Sequence, residues 1–264
     1  MASSMFDSYL YRDVFTTPSM RAVFSDEAQL AAFVQAEVAL ALAQGEVGVI
    51  PREAADAIAR EAPAITLDRE QLKRDTENVG YPIVGLVRQL SEQLGEAGRY
   101  VHWGATTQDI MDTAAVLQLR EAVALIETQL TAVMAGLARV ARVHRDTPMA
   151  GRTHLQQALP ITFGHKAAIW LSSLQRIAER LTQAKPRALQ AQLGGAAGTL
   201  ASLADRGLDV RAAYASALGL AEPDITWHVA RDGLVEMVQT LATICGALGK
   251  IGYDVMILMA TEIG

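Results

Sequence analysis

The sequence predicts an all-α fold, a small helical N-terminal domain followed by a bundle of long helices. Three observations carry this reading. Residues 107–144 contain no proline and one glycine, Gly136. Within them apolar residues recur at Val116, Leu119, Val123, Ile126, Leu130, Val133, Leu137 and Val140, the steps of three and four that mark one face of an α-helix. Alanine and leucine dominate a composition with only 5% aromatic residues, which favours helices. At about 1.5 Å per residue, the helix over 107–144 is roughly 50 Å long. Such a helix cannot bury its stripe against a small globule, so a bundle is required.

The other elements follow in chain order. Ser25 and Asp26 read as a cap before an amphipathic helix over 27–44, closed by Gly45 and Gly48. Pro51 can open the next helix, which runs to about residue 61, before Pro63. Short helices are expected around 68–75 and 83–94, and residues 99–103 as an extended connector. These elements form the N-terminal domain, residues 1–105, and residues 106–264 form the bundle domain. There a second long helix spans 161–184 and a glycine-rich crossing spans 192–199. A short helix covers 210–218, and a third long helix covers 227–262. Ala242, Gly246, Ala247, Gly249 and Gly252 give that last helix a surface that other helices can approach closely.

Composition narrows the function classes. The formal net charge is −6 with no dense basic patch, so nucleic acid is a poor partner, although a local basic pocket can still hold an anion. Cys245 is the only cysteine, which excludes an intramolecular disulfide and fits a reduced, cytoplasmic setting. It lies in an apolar helical run and reads as an inert core thiol. Ser3, Ser4, Asp7 and Arg12 interrupt the start of the chain, so no secretory signal is expected. The most apolar stretch, 234–260, carries Glu236, Gln239, Lys250 and Asp254. A membrane span needs roughly 20 mainly apolar residues, so this stretch reads as a bundle helix and no membrane partner is expected.

Two segments carry the chemistry: residues 101–113 (VHWGATTQDIMDT) and 151–160 (GRTHLQQALP). Each sets hydroxyls, amides and an imidazole or carboxylate around a glycine, just before a long helical stretch. That composition suits donors aimed at an anion near a helix N-terminus. It points to a carboxylate-bearing substrate handled by proton transfer, without metal or nucleotide. Thr106, Thr107 and Gln108 either cap the long helix or bind a ligand. Asp109 reads as an orienting cap, because a free carboxylate would repel an anionic substrate. Arg152 and Thr153 are natural carboxylate partners, and Gln156 and Gln157 add amides. His154 can exchange a proton near neutrality, although a lone loop histidine is often structural. His102 is either structural or a substrate contact. Arg231 forms a plain ion pair or holds a second carboxylate. Lys250 and Glu262 lie in the last helix, where Lys250 is either a paired interior charge or a site residue. His144 and His165 sit on helices without a constellation and read as structural. The five histidines lack metal-ligand spacing, and 194–198 (GGAAG) lacks the GK[ST] of a phosphate loop.

The two segments resemble the first and second signature regions of the fumarase/aspartase superfamily. The resemblance lies within the branch that holds adenylosuccinate lyase and 3-carboxy-cis,cis-muconate cycloisomerase. Residues 192–199 (QLGGAAGT), 227–232 (WHVARD) and 247–254 (ALGKIGYD) extend the resemblance over nearly the whole chain. It implies a central bundle of five long helices, three of them within this sequence. It also implies a homotetramer with active sites shared between subunits, and no cofactor or metal. By the same resemblance, His102, Thr106, Thr107, Gln108, Arg152, Gln157 and Arg231 bind a small polycarboxylate substrate. Thr153 and His154 match a catalytic Thr-His pair.

Two departures stand out. Thr107 replaces the serine that is usual in the family. The third signature, a serine-containing loop of the form GSSxMPxKxNP that supplies the catalytic base, is absent, so the sequence reads as the front part of a longer enzyme. The function implied is cofactor-independent addition or elimination beside a carboxylate, with carboxymuconate lactonisation first. The N-terminal run FDSYLYRDVFTTPSMRAVFSD and the run WHVARDGLVEMV favour that branch, whereas His154 weighs slightly against it, since some cycloisomerases lack this histidine. A fumarate-releasing lyase of the adenylosuccinate or argininosuccinate lyase type is the alternative enzyme. An inactive helical oligomerisation fragment is the reading from another class.

Overall fold

The structure, a computed structural model, describes residues 4–261 and residue 263. Helices dominate it, as expected: α1 (Arg12–Phe15), α2 (Pro18–Val23), α3 (Asp26–Val47), α4 (Arg52–Glu61), α5 (Arg69–Val79), α6 (Ile83–Gln93) and α7 (Thr107–Val143) come first. A hairpin of β1 (Pro148–Thr153) and β2 (Gln156–Thr162) follows, then α8 (Phe163–Ala188), α9 (Gly207–Leu218) and α10 (Asp232–Leu258). The chain forms two compact units, one of residues 1–122 and 189–231, the other of residues 123–188 and 232–264.

In the first unit, the helix ends follow the local chemistry of the sequence. Ser25 caps α3 by accepting from Ala28 N–H, and Gly48 ends the helix in a left-handed conformation at φ 83°. Gly45 does not end it. It lies inside α3, where an added Cβ would sit 2.5 Å from Ala55 Cβ, so this glycine lets α3 and α4 touch. Asp68 caps α5 and Gly80 ends it. The connector expected at 99–103 is partly helical, because a 3-10 helix runs over Gly95–Tyr100. The core of this unit is the buried side of α3, α4, α6 and α9 with the start of α7, including Leu40, Ile58, Leu86, Leu90, Ile110 and Tyr214.

In the second unit, α8 packs along α10. The expected helix over 161–184 begins later, at Phe163, because residues 148–162 pair as antiparallel strands. Pro148 and Pro160 lack the N–H that a helix interior needs; Pro148 opens β1, and Pro160 lies opposite Ala150, beside the shift in register. Thr162 then caps α8 by accepting from His165 N–H. The third long helix starts at Asp232 rather than Trp227; Trp227 instead donates its N–H to Gln192 Oε1 and its indole N–H to the Ala191 carbonyl. Glu262 lies outside the described residues.

The outer surface of α10 differs from expectation. Only Met237, Thr240 and Ile244 of this helix are buried, while Val235, Val238, Leu248, Tyr253, Val255 and Met256 are exposed. Gly246, Gly249 and Gly252 have open space where a Cβ would stand. Cys245 is exposed, not a core thiol, because it lies off the buried positions of the helix, Met237, Thr240 and Ile244. By length and composition alone, three helices among the described residues are apolar enough to cross a membrane: Asp26–Val47, Thr107–Val143 and Asp232–Leu258. The charges of α10 therefore do not remove it from that class, contrary to the sequence expectation.

Candidate active site

The expected site residues fall into two clusters, one in each unit. In the first, Thr106 opens α7, and Asp109 reaches back to accept from Thr106 N–H at 2.9 Å, the reciprocal contact of a capping box. Asp109 does more than cap. Its buried carboxylate also accepts from Gly194 N–H and Gly195 N–H, each at 2.9 Å, and from Gln192 Nε2 at 3.4 Å, and it meets His228 Nε2 at 2.6 Å. The glycine-rich crossing is thereby fastened to the start of α7. A Cβ on Gly194 would lie 2.5 Å from Thr226 Oγ1, and Gly195 takes φ 70°, so both positions require glycine. The orienting role read for Asp109 in the sequence matches this geometry.

Around that anchor stand Thr107, Gln108, Arg231 and His102. Thr107 is the first helical residue and is partly exposed. Gln108 donates to Asp112 Oδ2 and to the His228 carbonyl. Arg231 forms a two-pronged pair with Asp112, at 2.6 and 2.8 Å, and lies 5.0 Å over the Trp227 ring. The plain ion pair is thus what its guanidinium makes here, and a carboxylate ligand would have to share it. His102 sits in the left-handed region at φ 62°, with Nδ1 2.6 Å from Oε1 of the buried Glu37. Burial alone would lower the His102 pKa, but the hydrogen bond and charge of Glu37 outweigh it and hold the imidazole above its ordinary 6.5. One ring nitrogen of His102 is therefore committed within the protein.

The second cluster lines a cavity of about 660 Å³ in the second unit, under the hairpin. Arg152, Thr153 and His154 come from the hairpin, His165, Lys166 and Trp170 from α8, and Lys250 and Asp254 from α10. Thr153 pairs with Gln156, and the intervening turn is His154–Leu155, with φ 49° and 61°. Two consecutive left-handed residues make the tight two-residue hairpin turn that normally selects Asn-Gly. The turn therefore holds His154 at the tip against local preference. Gln157 pairs with Arg152 but is not among the residues lining the cavity. Among the described residues Arg152 has no acidic partner within 4 Å, and its guanidinium makes a long contact, 3.4 Å, to the Ala150 carbonyl.

Sequence reasoning missed part of this cluster. His165, read as structural, lines the cavity beside His154. His144 does behave structurally, with Nδ1 3.2 Å from Thr147 Oγ1 and its ring edge-on to Phe163. Lys166, Trp170 and Asp254 were not singled out, and Lys250 was left open. The available signal was spacing: Lys166 and Trp170, and Lys250 and Asp254, each stand four residues apart on long helices.

Residues 12–264 match the family described as Lyase, of the fumarase/aspartase superfamily. The chain belongs to that superfamily. It is 45% identical to 3-carboxy-cis,cis-muconate cycloisomerase of Pseudomonas aeruginosa, over all of this chain and 57% of that protein. It is 43% identical to N-acetyl-S-(2-succino)cysteine lyase of Dickeya dadantii, over all of this chain and 58% of that protein. A crystal structure of fumarate lyase from Mesorhizobium sp. BNC1 superposes with a TM-score of 0.91 at 55% identity, covering 93% of this chain and 58% of that one. This superfamily member therefore spans somewhat over half the length of the relatives it matches. Members act on small carboxylate substrates and are typically oligomeric.

Proposed function

We propose that the chain serves a cofactor-independent addition or elimination beside a carboxylate, with lactonisation of 3-carboxy-cis,cis-muconate as the leading reaction. The observation that carries this reading is the charge of the hairpin cavity. In a chain of net charge −6, that cavity gathers Arg152, Lys166 and Lys250 against one acid among the described residues, Asp254. Such a site fits a polycarboxylate, and the similarity to a cycloisomerase supports the first reaction. Arg152 and Thr153 hold a substrate carboxylate by charge-assisted and hydroxyl hydrogen bonds. His154 delivers or removes a proton at the exposed tip of the hairpin. In the other cluster Thr107, Gln108, Thr106, Arg231 and His102 present further donors, and Gln157 supports Arg152 through strand pairing.

In lactonisation, one carboxylate oxygen adds to the alkene, and the carbanion formed beside the second carboxylate is stabilised by surrounding positive charge. Protonation of that carbon completes the lactone. The proton-transfer residue contributed by the superfamily's third signature is not in this sequence, so the residues here supply binding and proton assistance. Residues 1–105 act as the helical N-terminal domain and 106–264 as the bundle domain. The exposed apolar side of α10, with its open glycines, fits burial against other copies in a homotetramer better than contact with lipid, and the protein works in the cytoplasm. The 43% and 55% relatives favour a second reading, a lyase releasing fumarate from a substituted succinate.

The test is a pair of assays on the same preparation. Loss of 3-carboxy-cis,cis-muconate supports lactonisation. Fumarate release from adenylosuccinate, argininosuccinate or S-(2-succino)cysteine with no lactonisation supports the lyase. Activity in neither, with a sedimenting tetramer, leaves an oligomerisation module.

A further inference from the structure

The proposed reaction draws on the positive charge of the hairpin cavity, and the lining shows how two of its three cations are held. Asp254 is largely buried, and three groups from two helices converge on its Oδ2. Trp170 Nε1 donates at 2.8 Å, Lys166 Nζ lies at 3.2 Å, and Lys250 Nζ makes a shorter contact. Both ammonium groups also stand over the Trp170 ring, at 5.5 and 5.7 Å from its centre. Burial would raise the Asp254 pKa, but the hydrogen bonds from Lys250, Trp170 and Lys166 win, and the carboxyl stays ionised below its ordinary range.

One carboxylate cannot neutralise two ammonium groups. A pair made only for stability would need one lysine, and Lys250 alone supplies it at i,i+4. Lys166 is the surplus, brought in from α8 and supported by the aromatic face. The side chain of Lys250 remains 57% exposed and that of Lys166 24% exposed, and both line the cavity. Among the described residues, the arrangement keeps an uncompensated positive charge fixed in the cavity wall, apart from Arg152 on the hairpin.

We propose that Lys166 and Lys250, held side by side by Asp254 and Trp170, form a second carboxylate subsite, which makes the cavity selective for tricarboxylates over dicarboxylates. This rests on the reading of the hairpin cavity as the substrate site. Arg152 takes one carboxylate, the lysine pair takes another, and Asp254 is a positioning residue that touches no substrate.

Isothermal titration with tricarballylate and with succinate tests this on the 264-residue protein, on Lys166→Met, Lys250→Met and Asp254→Asn, and on Arg152→Ala. Tricarballylate should bind more tightly than succinate to the unaltered protein. Each lysine variant should weaken tricarballylate by tenfold or more and succinate by less than threefold. Asp254→Asn should also weaken tricarballylate, and Lys250→Arg should retain its binding. A second reading comes from fluorescence, since tricarballylate should alter the Trp170 emission and the change should vanish in Trp170→Phe. Equal losses for both ligands, or no loss, overturn the subsite, as does a silent Trp170 at saturation. If Arg152→Ala loses both ligands while the lysine variants bind normally, the subsite fails and the cavity reading stands. If the unaltered protein binds neither ligand, both fail.

Discussion

Replacing Asp109 by asparagine should be among the most damaging isosteric changes in the first unit. Oδ1 accepts from Gly194 N–H and Gln192 Nε2, and Oδ2 accepts from Gly195 N–H and Thr106 N–H. An amide has only one acceptor oxygen. Whichever way it turns, its NH2 faces at least two N–H donors that lose their partner. Each buried donor left unpaired costs about 1–3 kcal/mol, so the loss is about 2–6 kcal/mol, with repulsion between donors adding to it. That is a large part of the 5–15 kcal/mol typical of a whole domain. For a unit of this size each kcal/mol is worth roughly 2–4 °C, so a mid-range loss of about 4 kcal/mol lowers Tm by about 8–16 °C. Differential scanning calorimetry of Asp109→Asn measures it directly. Size is conserved, so a cavity cannot account for the fall. A shift below about 2 °C would show that the crossing is held by packing and that the carboxylate is dispensable.

Three further outcomes follow from the geometry. The folded pKa of His102 is raised above 6.5, so the stability it contributes with Glu37 is complete below that value and is lost as pH rises through the folded pKa. The stability gap between the unaltered protein and His102→Gln should therefore be larger at pH 5.5 than at pH 9, measured by urea titration, and a gap independent of pH would contradict the pairing. Leu155 is 73% exposed at φ 61°, so Leu155→Gly should relieve backbone strain without losing packing, stabilising the second unit by about 1–2 kcal/mol. A lower Tm would mean that the turn is not strained. Gly194→Ala would set a Cβ 2.5 Å from Thr226 Oγ1, and overpacking of this kind costs about 1–3 kcal/mol. Thermal melting should show it, and an unchanged Tm would mean that the crossing can yield.

The sequence by itself determined that three long helices exist, and it marked both ends of one of them, α7. Periodicity marked α7 to within a residue. Ser25 and Gly48 mark the limits of α3, because caps and left-handed glycines act on their own few residues, whereas α5 runs past its expected end at 75 to Val79. It also determined which residue types could meet a carboxylate, since Thr106–Gln108 and Arg152–His154 are each contiguous. Only the tertiary structure decided what those residues touch. The hairpin over 148–162 escaped periodicity because its strands are short, carry prolines and turn on two residues that disfavour the conformation they adopt. Asp109 needed residues 194, 195 and 228 to become an anchor, and Arg231 needed Asp112, 119 residues earlier, to become a plain ion pair. Lys166 and Asp254 lie far apart in the chain, and α8 against α10 is what brings their charges within 3.2 Å. Local signals report the backbone, whose preferences span a few residues. Charge pairing and cavity lining depend on which helix faces meet, and that is settled only by packing.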